Sequence, residues 1–100
     1  MIEVEPTAGG HVKVTFIAPE DAYDGQTAVV GDFNDWDPMA TPLRKRKGRW
    51  SASVVVEPGR RYAFRYLAEG GRWLNDDGAD DYQPNQYGGS DSVVDLSARA

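Results

Sequence analysis

A chain of 100 residues without cysteine is long enough to bury one hydrophobic core, and it excludes disulfides and thiolate metal sites. We therefore expect a single domain over residues 1–100, with its core within 12–96. The net charge of −5 argues against nucleic acid as the main partner, and the short apolar runs exclude a membrane span.

The N-terminal sequence MIEVEPTAGG has neither the basic start nor the apolar block of a signal peptide. We therefore expect a cytoplasmic protein, a location that also fits the absence of cysteine. The initiating Met1 favours a stand-alone protein.

The first half of the chain has the period of strands. In HVKVTFIAP (11–19) apolar and polar residues alternate, which predicts a half-buried strand that Pro19 ends. The segment TAVVGD (27–32) predicts a short strand that runs into the turn-rich sequence FNDWDP. A basic run, RKRKGR (44–49), predicts a solvated hairpin with Lys47 and Gly48 at its tip. A phosphate-binding patch is the alternative interpretation of that run.

Strand periods continue in the second half. In RWSASVVVE (49–57), Trp50 shares a face with Val54 and Val56, which predicts a core position for this tryptophan. In RRYAFRYL (60–67), one face carries the aromatic residues and the other carries Arg65. The aromatic face consists of Tyr62, Phe64 and Tyr66.

The C-terminal third is richer in turn residues. Here RWL (72–74) predicts a stub of strand and SVVDL (92–96) predicts the last strand, followed by a frayed tail at 97–100. No window shows a helical period. About seven short strands in a chain of this length predict an immunoglobulin-like antiparallel β-sandwich.

Two of the three tryptophans lie beside turn residues, Trp36 in FNDWDP and Trp73 in GGRWLNDD. An exposed indole forgoes roughly 2–3 kcal/mol of burial free energy unless a partner covers it. One interpretation is a lid, in which a loop tryptophan folds over the end of the sandwich and satisfies its N–H locally. Two such tryptophans among Asn, Asp and Arg instead favour a shallow surface for sugar, since aromatic faces stack on sugar C–H groups while polar groups bond to hydroxyls.

The sequence also resembles the family 48 carbohydrate-binding modules. The resemblance is carried by VVGDFNDWDP, the basic hairpin, RYAFRYLAEGGRWLNDD and NQYGGSDSVVDL, and it covers about residues 12–96. The family includes the glycogen-binding domain of the AMP-activated protein kinase β subunit and the N-terminal early-set domains of isoamylases and branching enzymes. It implies non-catalytic binding of an α-1,4-linked glucan, without a cofactor, beside a separate catalytic domain.

The resemblance assigns roles to residues of the two tryptophan motifs. Trp36 and Trp73 match the family's two stacking tryptophans, and Arg65 matches the position of a sugar-binding lysine. Asn34 is a further candidate for the site and is also interpreted as the residue that holds the turn. Phe33, in the same motif, is predicted to belong to the core.

Three later positions depart from the kinase domains. Tyr87 stands where those domains carry a leucine that inserts into the sugar chain, and a tyrosine can still stack. Asp91 stands at an asparagine that bonds to hydroxyls, and a carboxylate accepts but does not donate. Gly89 stands at a threonine and offers only its backbone.

The sequence argues against metal-dependent and catalytic functions. The acidic run 76–81 does not fit a calcium-binding helix–loop–helix, because Trp73 and Pro84 occupy two of the ligand positions; a solvated loop is favoured over an irregular calcium site. The carboxylates lie among turn residues without sign of burial, so a glycosidase pair is not indicated. His11 has no nucleophile motif nearby, and we predict no metal and no enzymatic activity.

A second interpretation of the whole chain remains open. Early-set sandwiches also serve as docking domains for glucan-metabolising enzymes, and the fold does not decide between the two functions. A docking surface tolerates the loss of a loop tryptophan outside the interface, whereas a glucan-binding site does not.

Overall fold

The computed structural model describes residues 2–18 and 26–98, and within these ranges the chain forms nine strands and one 3-10 helix of three residues, Asp32–Asn34. The strands are β1 (Ile2–Pro6), β2 (Val12–Ala18), β3 (Thr27–Gly31), β4 (Arg44–Arg46), β5 (Arg49–Val56), β6 (Arg61–Ala68), β7 (Arg72–Leu74), β8 (Asp81–Pro84) and β9 (Ser90–Asp95). All of their pairings are antiparallel.

Two sheets form the predicted β-sandwich. Sheet 1 has the strand order β1-β2-β5-β4, and sheet 2 has the order β3-β6-β9-β8. Strand β6 is central to sheet 2, because it pairs with β3 on one side and with both β9 and β7 on the other. Because the described strands form two antiparallel sheets, the predicted all-β fold class is confirmed.

Aromatic rings from both sheets meet in the core. The ring centroid of Phe16 lies 4.8 Å from that of Phe64 and 5.4 Å from that of Phe33, and Phe64 contacts Tyr66 edge-on at 5.8 Å. The predicted inward face of β6 is therefore confirmed. Phe33 and Trp50, both predicted to belong to the core, pack against it but are only half-buried.

Strands β1 and β8 are not among the predicted strands. Both lie at the edge of a sheet, where one side of the backbone pairs with no other described strand. Strand β1 does alternate, with Ile2 and Val4 half-buried and Glu3 and Glu5 exposed, so its signal was present in the sequence and was missed. All four residues of β8 are exposed, so that strand has no such period. Strand β9 also begins at Ser90, two residues before its predicted start.

The basic run forms the β4–β5 hairpin at the edge of sheet 1. Arg46 pairs with Arg49, and the two intervening residues, Lys47 and Gly48, both have positive φ, of 51° and 76°. These dihedral angles are typical of the tight two-residue turn that matches the twist of a hairpin. The geometry fits the solvated-hairpin interpretation of this run.

Two further expectations concern the chain beyond the strands. The strand end at Pro19 lies outside the described residues, as do the last two residues of the predicted frayed tail. In the described part of the tail, the backbone N–H of Ser97 donates to Asp95 Oδ1 at 2.9 Å, so this residue is held in place. Within the described ranges, no helix has the length and apolar character that crossing a bilayer requires.

Candidate functional site

A groove of about 780 Å³ lies on the outer face of sheet 2, on the side away from the aromatic core. Arg65 on β6 pairs with Val30 of β3, and Asp91 on β9 pairs with Gln83 of β8. Directly opposed residues of antiparallel strands point to the same face, so a row of side chains crosses the sheet here. Arg65 and Asp91 lie one position beyond the last pair between β6 and β9, that of Phe64 and Ser92.

Five of the six residues that the sequence predicts for a binding site line this groove. They are Trp36, Arg65, Trp73, Tyr87 and Asp91. They come from the loop after β3, from β6, from β7, from the loop after β8 and from β9, and the sheet topology brings them together.

Asn34 is the sixth predicted residue, and it does not line the groove. Its Oδ1 accepts a hydrogen bond from the backbone N–H of Gly31, and its Nδ2 donates to Val29 O and to Thr41 Oγ1, all at 3.0 Å. The side chain is thus occupied in fixing the turn after β3, which is the other role that the sequence indicates for it.

Trp36 is held in an unusual backbone conformation. Asp35 and Trp36 both have a φ of 57°, in the left-handed region that bulky side chains rarely adopt. The backbone N–H of Trp36 donates to Gly31 O at 3.0 Å, and its indole N–H donates to Asp32 Oδ1 at 3.1 Å. The ring is half-buried, and its N–H is satisfied locally, as the lid interpretation also requires. Nevertheless the ring lines an open groove.

Trp73 and Arg65 lie together on the floor of the groove. Trp73 is 44% exposed, and the guanidinium carbon of Arg65 lies 5.7 Å from its ring centroid, within the range of a cation–π contact. Arg65 Nε is buried and has no hydrogen-bond partner among the described residues. The pair presents an aromatic face beside a cation.

Tyr87 lies at the tip of the loop between β8 and β9 and is 84% exposed. Asn85 shapes this loop: its Oδ1 accepts the backbone N–H groups of Tyr87 at 2.9 Å and Gly89 at 3.2 Å. The Nδ2 of Asn85 donates to Asp91 Oδ1 at 3.1 Å, which links the loop to the floor of the groove. Such side-chain bonds to the backbone are typical of Asn in turns.

The expectation that the carboxylates are not buried is wrong for two aspartates. Asp91 is only 9% exposed, and Asp76 is 5% exposed. Asp76 receives hydrogen bonds on its carboxylate from Tyr66 Oη at 2.6 Å and from the backbone N–H of Gly78 at 2.7 Å. The Tyr82 hydroxyl also donates to the backbone carbonyl of Asp76. Buried carboxylates need such partners, and neighbouring turn residues in a sequence do not reveal them.

Sequence reasoning missed four polar residues that also line the groove: Asp32, Gln83, Asn85 and Gln86. Asn85 precedes a tyrosine and two glycines, and this turn signal was available in the sequence. Gln83 lies on the unpredicted strand β8, so no periodic signal pointed to it. Among the described residues, no cluster of three or more His, Asp or Glu side chains is arranged to hold a metal ion.

The groove combines aromatic faces with hydrogen-bond donors and acceptors. Trp36, Trp73 and Tyr87 offer rings, Arg65 offers donors, and Asp91 offers an acceptor. The site is open to solvent along its length and lies on the surface of the sheet rather than in an enclosed cavity. A flat ligand with apolar faces and a rim of hydroxyls fits this chemistry.

Comparison with known proteins agrees with this description. The model of the family carbohydrate-binding module 48 (isoamylase N-terminal domain) matches residues 7–83. The chain belongs to this family, and the resemblance drawn from the sequence is confirmed.

Its curated relatives include 1,4-alpha-glucan branching enzymes. The enzyme GlgB of Deinococcus radiodurans is 44% identical over 50 residues, which is 48% of this chain and 7% of the relative. GlgB of Rubrobacter xylanophilus is 41% identical over 76 residues, 72% of this chain and 10% of the relative. GlgB 2 of Xanthomonas campestris is 43% identical over 51 residues, 49% of this chain and 7% of the relative. The matched part of the chain thus spans no more than a tenth of the length of these relatives.

Proposed function

We propose that this chain binds an α-1,4-linked glucan, such as glycogen or starch, in the groove on sheet 2 and acts without catalysis. Trp36 and Trp73 stack on glucose rings, and Arg65 donates hydrogen bonds to hydroxyls. Tyr87 stacks at the loop tip, and Asp91 accepts a hydrogen bond from a hydroxyl.

One observation carries the proposal: two tryptophans from distant parts of the chain line the same open groove, with Arg65 against one of them. Stacking on an aromatic face suits any hexose, so the glucan class is inferred from the family and its relatives. The family is named for carbohydrate binding, and the relatives are named as 1,4-alpha-glucan branching enzymes.

Co-sedimentation with glycogen, amylopectin and cellulose tests the proposal. Wild type should sediment with the two α-glucans and not with cellulose, whose β-linked chain presents its rings differently. Trp36→Ala and Trp73→Ala should each weaken binding by about 1–3 kcal/mol, the range of aromatic hot spots. Val55→Ala is the control, because Val55 is an exposed apolar residue on sheet 1, outside the groove.

The proposal fails if both tryptophan variants bind glycogen as well as wild type does. That result would place sugar binding outside the groove, whereas a wild-type protein that does not sediment with glycogen would favour the docking function. Under our proposal the module acts in glucan metabolism beside a catalytic domain, a role inferred from the branching-enzyme relatives.

A further inference from the structure

Asp32 links Trp36 to the central strand of sheet 2. Its Oδ1 accepts the indole N–H of Trp36 at 3.1 Å, and its Oδ2 accepts the backbone N–H of Ala63 at 2.8 Å. One carboxylate thus joins Trp36 and Ala63, which lie 27 residues apart in the sequence.

The register of the sheet explains why Asp32 reaches Ala63. Gly31 is the last residue of β3 and pairs with Phe64, so Asp32 would be opposite Ala63 if the strand continued. The chain instead turns into the 3-10 helix at Asp32, and the carboxylate takes the place of the missing strand partner. A backbone N–H at such a strand end needs an acceptor, and a charged oxygen is a strong one.

The backbone of Trp36 is strained, and its indole ring is held by the hydrogen bond to Asp32. With a φ of 57° the residue is in a strained region for a bulky side chain, and this conformation persists only where the surroundings hold it. The backbone bond to Gly31 fixes the main chain of Trp36, but it leaves the ring free to rotate about its side-chain bonds. The bond to Asp32 restricts that rotation.

We propose that Asp32 is a positioning residue for ligand binding: it holds the indole of Trp36 against β6, in the orientation that lines the groove. Its effect on affinity rests on the proposed glucan binding, whereas its effect on the ring does not. Because the ring is fixed before the ligand arrives, binding does not have to order it.

Asp32→Asn is the test variant, and Asp35→Asn is its matched control. Both remove one negative charge from the same loop, but Asp35 is exposed and its carboxylate forms no hydrogen bond or ion pair with another described residue, and asparagine tolerates its φ of 57°. In Asp32→Asn the new amide has one oxygen for two donors, so one of the two bonds is lost. Thermal melting of each variant checks that the fold is retained.

The first measurement follows the ring itself in the ligand-free protein. Hydrogen exchange of the Trp36 indole N–H, observed by NMR and assigned by its loss in Trp36→Phe, should be faster in Asp32→Asn than in wild type. Asp35→Asn should exchange at the wild-type rate. Asp32→Ala, which has no acceptor for the indole, should exchange at least as fast as Asp32→Asn. Unchanged exchange in both Asp32 variants would overturn the positioning role, whether or not the protein binds glucan.

The second measurement is affinity for maltoheptaose by calorimetry. Asp32→Asn should weaken binding about 10- to 150-fold, as expected for the loss of a hydrogen bond to a charged group, and Asp35→Asn should leave it unchanged within about twofold. In a Trp36→Phe background, where a ring remains without its N–H, Asp32→Asn should have little effect. An equal loss in both backgrounds would show that Asp32 acts on the sugar directly, and it would overturn the inference.

The two proposals fail in different ways. Absence of maltoheptaose binding in wild type would overturn the proposed function and the affinity part of this inference. The exchange rate of the indole N–H would still decide whether Asp32 holds Trp36.

Discussion

The guanidinium carbon of Arg65 lies 5.7 Å from the ring centroid of Trp73, and the adjacent Nε is buried without a hydrogen-bond partner among the described residues. The ring therefore supports the cation from one side, while a donor remains to be satisfied. A buried donor without a partner carries a desolvation penalty. Since Nε is not exposed to solvent, a sugar hydroxyl would bond to the part of the guanidinium that lines the groove.

We expect Arg65→Ala to weaken binding of maltoheptaose by about 1–2 kcal/mol, because hydrogen bonds from charged donors exceed neutral ones. Since the sugar is neutral, raising the salt concentration should barely change the affinity of wild type. Calorimetry at low and high salt measures both effects, with Arg72→Ala as the control for an exposed cation on β7. Binding that collapses with salt would instead indicate an anionic partner.

We expect Gly31→Ala to lower the free energy of unfolding by about 1–3 kcal/mol, the usual effect of overpacking. A Cβ at this position would lie 2.5 Å from Ala63 O and 2.8 Å from Phe64 Cβ, so the backbone of β6 would have to move. Urea denaturation measures the change. Gly89→Ala is the control, because there the nearest atom is 3.7 Å away; a variant at Gly31 as stable as this control would contradict the close approach.

We expect Lys47→Asn to raise the free energy of unfolding by about 0.5–1 kcal/mol. Lys47 has a φ of 51° at the tip of the β4–β5 hairpin, and asparagine followed by glycine is the preferred pair for such a turn. Lys47→Gln removes the same charge without this backbone preference and should change stability by less than about 0.5 kcal/mol. Equal stabilisation by both variants would mean that charge, not conformation, is responsible.

We expect the ion pairs of Arg61 to stabilise the fold only above acidic pH. Arg61 lies 2.6 Å from Asp81 Oδ2 and 3.3 Å from Asp95 Oδ2. The hydrogen bond from Arg61 lowers the pKa of Asp81, and hydrogen bonds from Ser97 chiefly lower the pKa of Asp95. Both carboxylates thus bind protons more weakly in the folded state than in the unfolded state. Their stabilisation is complete above the unfolded pKa of about 3.9 and is lost as the pH falls through the folded pKa.

Thermal melting of Arg61→Gln between pH 7 and pH 2 tests this expectation. The variant should melt slightly below wild type at pH 7, since the pairs are exposed, and the difference should shrink below about pH 4. Arg49→Gln, which removes an exposed arginine from sheet 1, should show no such trend. A difference that stays constant with pH would show that Arg61 stabilises the fold by packing alone.

The core and the outward position of Arg65 could be predicted from the sequence because burial leaves a period of two along a strand. Strand β6 illustrates this: its aromatic residues face the core, and Arg65 faces the groove. Strand β8 could not be predicted, since an edge strand with every residue exposed has no such period. With β8 missing, the position of Gln83 in the groove could not be predicted either.

The site itself could be predicted only in part. Trp36 and Trp73 attract notice because apolar rings lie beside turn residues, but their meeting in one groove depends on long-range strand pairing, for which the resemblance to a family was needed. The roles of Asp32 and Asn85 depend on hydrogen bonds to distant or turn backbone. Composition and spacing do not contain that geometry.

Side chains of β6 alternate between the core and the groove, so both depend on the register of this strand. A single-residue insertion or deletion within this strand would turn Arg65 inward and Phe64 or Tyr66 outward. Such a shift of register would disrupt both the core and the groove. The loop of residues 85–89 contributes to the groove but not to the core cluster. Under the proposed function, a change in the length or sequence of this loop would therefore alter the ligand-binding surface without disturbing the core, whereas an insertion in β6 would disturb both.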